Sequence, residues 1–288
     1  MIIDPARAAL FFGANLVLLA AVPAQAADAS AWDGTQRSAM RLIAGAPRTQ
    51  GGATIHRAGV EIRLAPGWKT YWRYPGDSGI PPRFDFSKSH NVKSVTVRWP
   101  APQRLTDEGG TSIGYKHDVI FPLDVTPEDP GRPVTLALGV DYGVCEKICV
   151  PVDAKAELTL PGNPTFDSRI AASDMRVPRP TQVGGKGMPE GMPTIRAITR
   201  EGSRIVVDVA YPAGDSVDLF AEGPTADWAL PVPSPVAGAP DGQQRFTFEL
   251  DGLPPNTKPD GATLLLTAVA GDRANRGPLP ARLGELSR

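Results

Sequence analysis

The sequence predicts an all-β protein built from two antiparallel β-sandwich units, and three observations support this fold class. Glycine and proline account for 30 and 31 of the 288 residues, and both residue types interrupt the interiors of helices. Apolar and polar residues alternate over many short segments, which is typical of strands with one buried face. Turn-forming sequences separate these segments at the spacing that antiparallel sandwiches show.

The alternation is clearest at residues 60–64, 95–99 and 246–250, where every second residue is apolar. The same pattern, bounded by turn residues, predicts further strands at 83–87, 119–126, 134–142, 153–160, 204–211, 216–221 and 262–270. One helix is predicted in the body of the chain, over residues 166–175, with Thr165 as its N-cap.

Charge and motif content argue against several classes of protein. The chain has 30 Lys+Arg and 31 Asp+Glu, so it lacks the basic excess that binding to nucleic acid requires. Two cysteines are too few for a disulfide-dense scaffold, and the three histidines do not have the spacing of a zinc motif. The P-loop, HExxH and GxGxxG motifs are all absent.

The N-terminus has the features of an export signal. Residues 9–22 form an apolar run that follows Arg7 and precedes the small-x-small sequence Ala24-Gln25-Ala26, as in a secretory signal peptide. The run is shorter than the about 20 residues that span a membrane. We therefore expect residues 1–26 to be a signal peptide that sends the protein to an oxidising compartment, the bacterial periplasm. The alternative is an uncleaved anchor, because Asp4 weakens the positive charge before the apolar run.

The body of the chain divides at a segment rich in proline and glycine. Residues 176–193 have neither helical nor strand periodicity, so we expect them to form a linker. The first unit then spans 30–175 and the second spans 194–285. Because the second unit contains no cysteine or histidine, we expect a structural or docking role for it and no active site.

The two cysteines are the residues best suited to chemistry. Cys145 and Cys149 have the spacing C-x3-C; an extended strand would hold them roughly 13 Å apart, whereas a disulfide needs Cα atoms about 4.4–6.8 Å apart. If they pair, the chain must turn between them. A disulfide across so small a loop stabilises less than the about 3 kcal/mol expected of a 15-residue loop, which favours redox exchange over a structural bond.

In thiol–disulfide exchange one thiolate attacks a partner's disulfide, and the second cysteine resolves the mixed disulfide. Lys147 would favour the thiolate and Glu146 would oppose it. The residues leave two other interpretations open: a fixed structural disulfide, and Cu(I) binding by the two sulfurs with the thioethers of Met188 and Met192.

Four segments together resemble a known family. They are Gly67-Trp68-Lys69-Thr70-Tyr71-Trp72-Arg73-Tyr74-Pro75-Gly76-Asp77-Ser78-Gly79, Trp99-Pro100-Ala101-Pro102, Ile113-Gly114-Tyr115 and Val144-Cys145-Glu146-Lys147-Ile148-Cys149-Val150-Pro151. In this order they resemble the N-terminal periplasmic domain of the thiol:disulfide interchange protein DsbD and its relatives, including the ScsB-like reductases. The resemblance covers about residues 50–175, and ScsB-like proteins carry a second β region that would match 194–285.

The resemblance implies an immunoglobulin-like sandwich whose cysteine pair shuttles electrons. In the family a membrane-embedded domain reduces the pair, which then reduces periplasmic thioredoxin-like partners. Carried over, Cys145 and Cys149 are the redox pair, and Tyr71 occupies the place of a family tyrosine near the site. We also expect Asp107, Glu108 and Tyr115 to surround the site.

This chain departs from the family pattern in two respects. Its cysteines are closer together than in the best-known members. Those members also shield the pair with an aromatic residue after an acidic pair, whereas here Asp107-Glu108 is followed by Gly109-Gly110-Thr111. Tyr115 or Ile113 are the candidates to replace that aromatic side chain; without a replacement the pair is less protected from oxidation.

Our leading hypothesis is a periplasmic thiol–disulfide exchange protein, which would be a protein-disulfide oxidoreductase if the pair is active. The alternatives are a Cu(I)-binding copper-stress protein and a secreted sandwich with a fixed disulfide. We expect a monomer without a cofactor, thioredoxin-like partners and a separate membrane protein as electron donor. The sequence does not identify the partners, the direction of electron flow or the nucleophilic cysteine.

Overall fold

Twenty strands and one short helix make up the part of the chain that the computed structural model describes, which is residues 27–76, 78–107, 110–184, 191–271 and 273–278. The expected signal peptide at 1–26, together with Glu108 and Met188, lies outside these residues. Each of the ten predicted strand segments overlaps an observed strand. The all-β, immunoglobulin-like fold class is therefore confirmed.

The N-terminal strands form two six-stranded sheets that pack face to face. The strands are β1 (Asp33–Gly34), β2 (Ser38–Ala44), β3 (Arg48–Gln50), β4 (Ala53–Leu64), β5 (Lys69–Gly76), β6 (Arg83–Asp85), β7 (Val92–Val97), β8 (Gln103–Asp107), β9 (Gly110–Tyr115), β10 (Val119–Pro127), β11 (Val134–Cys145) and β12 (Cys149–Leu160). One sheet has the order β1-β2-β4-β10-β7, with β3 on β4. The other has the order β12-β11-β5-β9-β8, with β6 on β11.

An aromatic cluster occupies the core between these two sheets. Phe121 on β10 contacts the rings of Phe84, Trp99 and Tyr115 at centroid distances of 5.4, 5.0 and 5.5 Å, with the rings edge to face, a favourable arrangement for aromatic pairs. Strand alternation places Phe121 on the buried face together with the next apolar residues of β10, so the core depends on the period-2 pattern.

The remaining elements are α1 (Asp167–Met175) and eight strands: β13 (Arg179–Pro180), β14 (Thr194–Glu201), β15 (Arg204–Ala210), β16 (Val217–Glu222), β17 (Ser234–Val236), β18 (Gln243–Glu249), β19 (Leu265–Ala270) and β20 (Arg273–Pro278). The strands form two four-stranded sheets, β13-β20-β19-β16 and β14-β15-β18-β17, which we call the C-terminal sheets. β13 lies within the segment predicted as a linker and pairs with β20 in parallel.

The helix is at the predicted place, but its N-cap differs from the prediction. Phe166 takes the N-cap position and makes no side-chain capping bond, so the assignment of Thr165 was wrong. Asp167 instead accepts a hydrogen bond from the backbone N–H of Ala46 at 2.9 Å, and its charge lies in the favourable first turn. No helix in the described residues has the length and apolar character needed to cross a lipid bilayer.

Candidate functional site

The hairpin of β11 and β12 brings the two cysteines together. The strands pair over twelve residues each, and the last pair of the ladder is Cys145 opposite Cys149. Glu146, Lys147 and Ile148 form the connecting loop, which supplies the turn that the spacing requires. The cysteine Cα atoms are 4.2 Å apart, and the sulfurs form a disulfide.

The two cysteine residues differ in their exposure to solvent. Cys145 is 2% exposed, whereas Cys149 is exposed at the start of the edge strand β12. Ile148, next to Cys149 in the loop, is 75% exposed. Cys149 is therefore the more accessible of the two cysteines, and an exposed apolar side chain lies next to it.

Tyr71 lies directly against the disulfide. Strand β5 pairs with the end of β11 through Lys69 opposite Cys145, so Tyr71 follows two residues later on the same face. Its hydroxyl donates a hydrogen bond to Cys145 Sγ at 2.6 Å and lies 3.1 Å from Cys149 Sγ. Burial of the phenol, with the negative charge of Asp107 as a second cause, raises the pKa of Tyr71 above its ordinary value of 10.0.

Two glycines fix the orientation of the Tyr71 ring. A Cβ built on Gly79 would come within 2.5 Å of Tyr71 Cε1, and a Cβ on Gly143 would come within 3.3 Å of Tyr71 Cε2. The backbone N–H of Gly143 donates to the carbonyl oxygen of Ile80 at 3.0 Å, which ties the segment carrying Gly79 to β11. A larger residue at Gly79 would overlap the tyrosine ring, whereas one at Gly143 would first meet Ile80 Cβ, at 2.8 Å.

A charged pair forms another wall of the site. Lys69 Nζ lies 2.5 Å from Asp107 Oδ2 and 3.1 Å from Ser112 Oγ. The disulfide, Tyr71 and this pair enclose an open cleft of about 560 Å³, lined by Lys69, Tyr71, Ser78, Asp107, Gly110, Ser112, Cys145, Glu146, Lys147 and Cys149. We call this the disulfide cleft.

The structure brings some of the predicted site residues together and separates others. Tyr71 and Asp107 line the disulfide cleft with both cysteines. Tyr115 instead lies in the core, where its hydroxyl donates to the carbonyl oxygen of Pro100 at 2.9 Å. Ile113 is likewise buried in the core, so neither side chain shields the disulfide. Glu108 lies outside the described residues.

Sequence reasoning did not select Lys69, Ser78 or Ser112 as site residues. Lys69 precedes Tyr71 by two positions, so strand alternation alone would have placed it on the same face. Ser112 and Ser78 carry no such signal, because their places depend on the pairing of β5 with β9 and on the loop after β5.

The described residues contain no group of three or more His, Cys, Asp or Glu side chains arranged to hold a metal ion. Met192, one of the two methionines considered for Cu(I), does not line the disulfide cleft. Within the described residues the cysteine pair therefore has no further histidine, cysteine or carboxylate beside it in a ligand arrangement.

Comparison with known proteins finds two similarities. Residues 44–161 match the model of the family described as Thiol:disulfide interchange protein DsbD, N-terminal. The fold is similar to that of the N-terminal periplasmic domain of ScsB from Proteus mirabilis, with 19% identity and a TM-score of 0.66 over 87% of this chain and 97% of that one. No curated protein matches the chain. Residues 44–161 of the chain are therefore similar in sequence to DsbD N-terminal domains, and the fold is similar to that of the ScsB domain.

Proposed function

We propose that the protein exchanges dithiol and disulfide with partner proteins through Cys145 and Cys149. The observation that carries this proposal is the contact of the buried Cys145 sulfur with the Tyr71 hydroxyl, beside an exposed Cys149. A structural disulfide needs neither an accessible sulfur nor a hydrogen-bond donor at its other sulfur. The match of residues 44–161 to the model of the DsbD N-terminal family supports the same chemistry.

The exchange proceeds in two displacements. A thiolate of the partner attacks Cys149 Sγ and forms a mixed disulfide; the Cys145–Cys149 bond breaks, and its electron pair stays on Cys145 as a thiolate. The partner's second thiolate then attacks the partner sulfur of the mixed disulfide and releases Cys149. The two thiolates take up the two protons that the partner's thiols lost, so the partner leaves as a disulfide and this protein as a dithiol. The reverse sequence reduces a second partner.

Tyr71 assists the step in which Cys145 leaves. A thiolate of lower pKa is a better leaving group, and a hydrogen bond to the charged form lowers its pKa. The phenol is suited to this role because its own pKa is raised by burial and by Asp107, which keeps it protonated and able to donate at neutral pH.

The surroundings of Cys149 suit a protein partner. The side chain of Ile148 is 75% exposed and offers an apolar contact beside the reacting sulfur. Lys147 and Glu146, which precede Ile148 in the loop, add one positive and one negative charge near the reacting sulfur. We propose that the partner is a thioredoxin-like protein of the periplasm and that a membrane protein domain donates the electrons. We also propose that the chain is a monomer and that the signal peptide at residues 1–26 directs it to the periplasm.

The reduction potential of the cysteine pair tests the function. The protein is equilibrated in a graded series of thiol buffers, and free thiols are counted by alkylation and mass. We expect a potential between about −120 and −270 mV, as in known exchangers. A potential below about −300 mV would identify a structural bond and overturn the proposal.

Trapping experiments assign the two sulfurs. In Cys145→Ser the exposed Cys149 remains, and we expect it to form a stable mixed disulfide with a partner, because the resolving sulfur is missing. Cys149→Ser leaves the buried Cys145 and is expected to trap far less. Equal trapping by both variants would contradict the order of attack.

A further inference from the structure

Strand β5 leaves its sheet directly after Tyr71. Its pairing with β9 runs through Tyr71 opposite Gly114 and resumes at Gly76 opposite Ser112. Five steps along β5 therefore correspond to two along β9, so the intervening residues bulge out of the ladder. We call residues 72–75 the bulged segment.

The C-terminal sheets hold this segment by an ion pair. Arg73 on β5 binds Glu222 at the end of β16 through two parallel bonds, Nε to Oε2 and Nη2 to Oε1, both of 2.6 Å. The side chains are 21% and 9% exposed. Bidentate pairing between a guanidinium and a carboxylate fixes geometry as well as distance, so Arg73 has one orientation relative to β16.

The neighbouring residues make further contacts with the same region. The Tyr74 hydroxyl donates to the carbonyl oxygen of Trp228 and accepts from the backbone N–H of Leu230. The Trp72 ring lies 6.0 Å from that of Phe220 between centroids.

Packing against the backbone completes the contact. At Gly76, where φ is +83°, an added Cβ would lie 3.2 Å from Val232 Cγ2. Every residue from Trp72 to Tyr74, and Gly76 at the point where the ladder resumes, thus touches the C-terminal sheets or the loop after β16.

We propose that these contacts position Tyr71 against Cys145. Tyr71 is the last paired residue before the bulge, so neighbouring strands do not fix the backbone that follows it. Phe220, Glu222, Trp228, Leu230 and Val232, which we call the clamp, fix that backbone instead. The clamp is then a positioning element for the disulfide although none of its residues lines the disulfide cleft. This inference rests on the proposed function, since Tyr71 matters only if the disulfide reacts.

The rate at which dithiothreitol reduces the disulfide of the full chain tests the clamp. Glu222→Gln removes the carboxylate charge from the Arg73 pair, and we expect reduction to slow by about threefold or more. In the Tyr71→Phe background the same substitution is expected to leave the rate unchanged, because there is no hydroxyl left to position. Such non-additivity separates positioning of Tyr71 from a general loss of structure.

Asp208→Asn is the matched control. Asp208 is a buried carboxylate of the C-terminal sheets, with a side chain 10% exposed against 9% for Glu222, and it binds Arg245 through two bonds of 2.7 Å. Its loss disturbs the same sheets without touching the clamp, so the rate should stay at the wild-type value. Thermal unfolding of both variants shows whether their losses of stability are comparable. If Glu222→Gln does not fold, Glu222→Asp keeps the charge but withdraws it by one methylene.

Three results would overturn the proposed positioning role of the clamp. They are an unchanged or faster rate of disulfide reduction in the folded Glu222 variant, an equal slowing in the Tyr71→Phe background, or the same slowing in Asp208→Asn. Failure of the proposed function looks different. In that case the wild-type disulfide itself resists reduction, with a potential below about −300 mV, whatever the state of Glu222.

Discussion

The hydroxyl of Tyr71 lies 2.6 Å from the sulfur of Cys145, a residue 74 positions further along the chain. The contact exists because the start of β5 pairs with the end of β11. Cys145 therefore has a neutral hydrogen-bond donor next to it at the moment its bond to Cys149 breaks. Four experiments test how much the chemistry depends on this arrangement and on the groups around it.

Tyr71→Phe should slow reduction of the disulfide by dithiothreitol. A net hydrogen bond contributes about 0.5–1.5 kcal/mol, which corresponds to a rate about two to twelve times lower if the bond strengthens only as Cys145 leaves. The control is Tyr142→Phe, since Tyr142 is also buried and its hydroxyl lies 2.7 Å from Ser38 Oγ in the core. Equal rates in Tyr71→Phe and wild type would remove the tyrosine from the mechanism.

The ratio of the disulfide reduction rate of wild type to that of Tyr71→Phe should not vary between about pH 6 and about pH 9. Burial and the charge of Asp107 raise the pKa of Tyr71 above 10.0, so the protonated donor form persists through this range. The advantage is lost only above pH 10, as the phenol ionises. Reduction rates of both proteins, measured across the range with the attacking thiolate concentration held constant, check this. A fall in the ratio of the two rates near neutral pH would mean that the effect of Tyr71 depends on another titrating group.

The charged pair on the cleft wall should tune the cysteine thiols of the reduced protein in opposite directions. Lys69→Met leaves the Asp107 carboxylate less neutralised and is expected to raise the pKa of the reactive thiol by about half a pH unit or more. Asp107→Asn leaves the ammonium group and is expected to lower it. The pH dependence of alkylation by iodoacetamide measures both, with Asp153→Asn, an exposed residue of β12, as control. Shifts of the same sign in both variants would contradict this electrostatic role.

Gly79→Ala should destabilise the protein by about 1–3 kcal/mol in urea unfolding and disturb the Tyr71 contact. Gly79 has φ of +144°, and a Cβ there would overlap the tyrosine ring. Gly139→Ala is the matched control: it lies in β11, its φ is ordinary and an added Cβ meets nothing within 4 Å. That substitution is expected to be neutral or stabilising by about 0.4–1 kcal/mol. Similar effects at both glycines would argue against a steric role for Gly79.

Strand positions were predictable where apolar residues alternate regularly. Residues 60–64 and 119–126 show period 2 because one face of β4 and of β10 is buried. The same reasoning missed β2, a seven-residue strand that is buried over nearly its whole length and therefore lacks alternation. It also missed β5, whose aromatic run continues into the bulged segment. The N-cap of α1 was assigned to Thr165 from residue type alone, whereas the loop geometry places Phe166 there.

The sequence predicted the two cysteines of the candidate site, but it predicted only some of the residues around them. The spacing of Cys145 and Cys149 required a turn, and the hairpin supplies it. The family resemblance selected Tyr71 and Asp107. Tyr115 was grouped with them by nearness in sequence to the acidic pair, but strand alternation turns its side chain to the core. The clamp has no signal in the sequence, because it joins residues about 150 positions apart.

The disulfide closes the end rung of a ladder of twelve residue pairs. Opening it leaves eleven pairs in place, so the hairpin does not need the covalent bond to keep its shape. We therefore expect the oxidised and reduced forms to share one scaffold. Each turn of the cycle would then change two sulfurs and a few hydrogen bonds, and the protein would work as a carrier that is ready for its next partner without refolding.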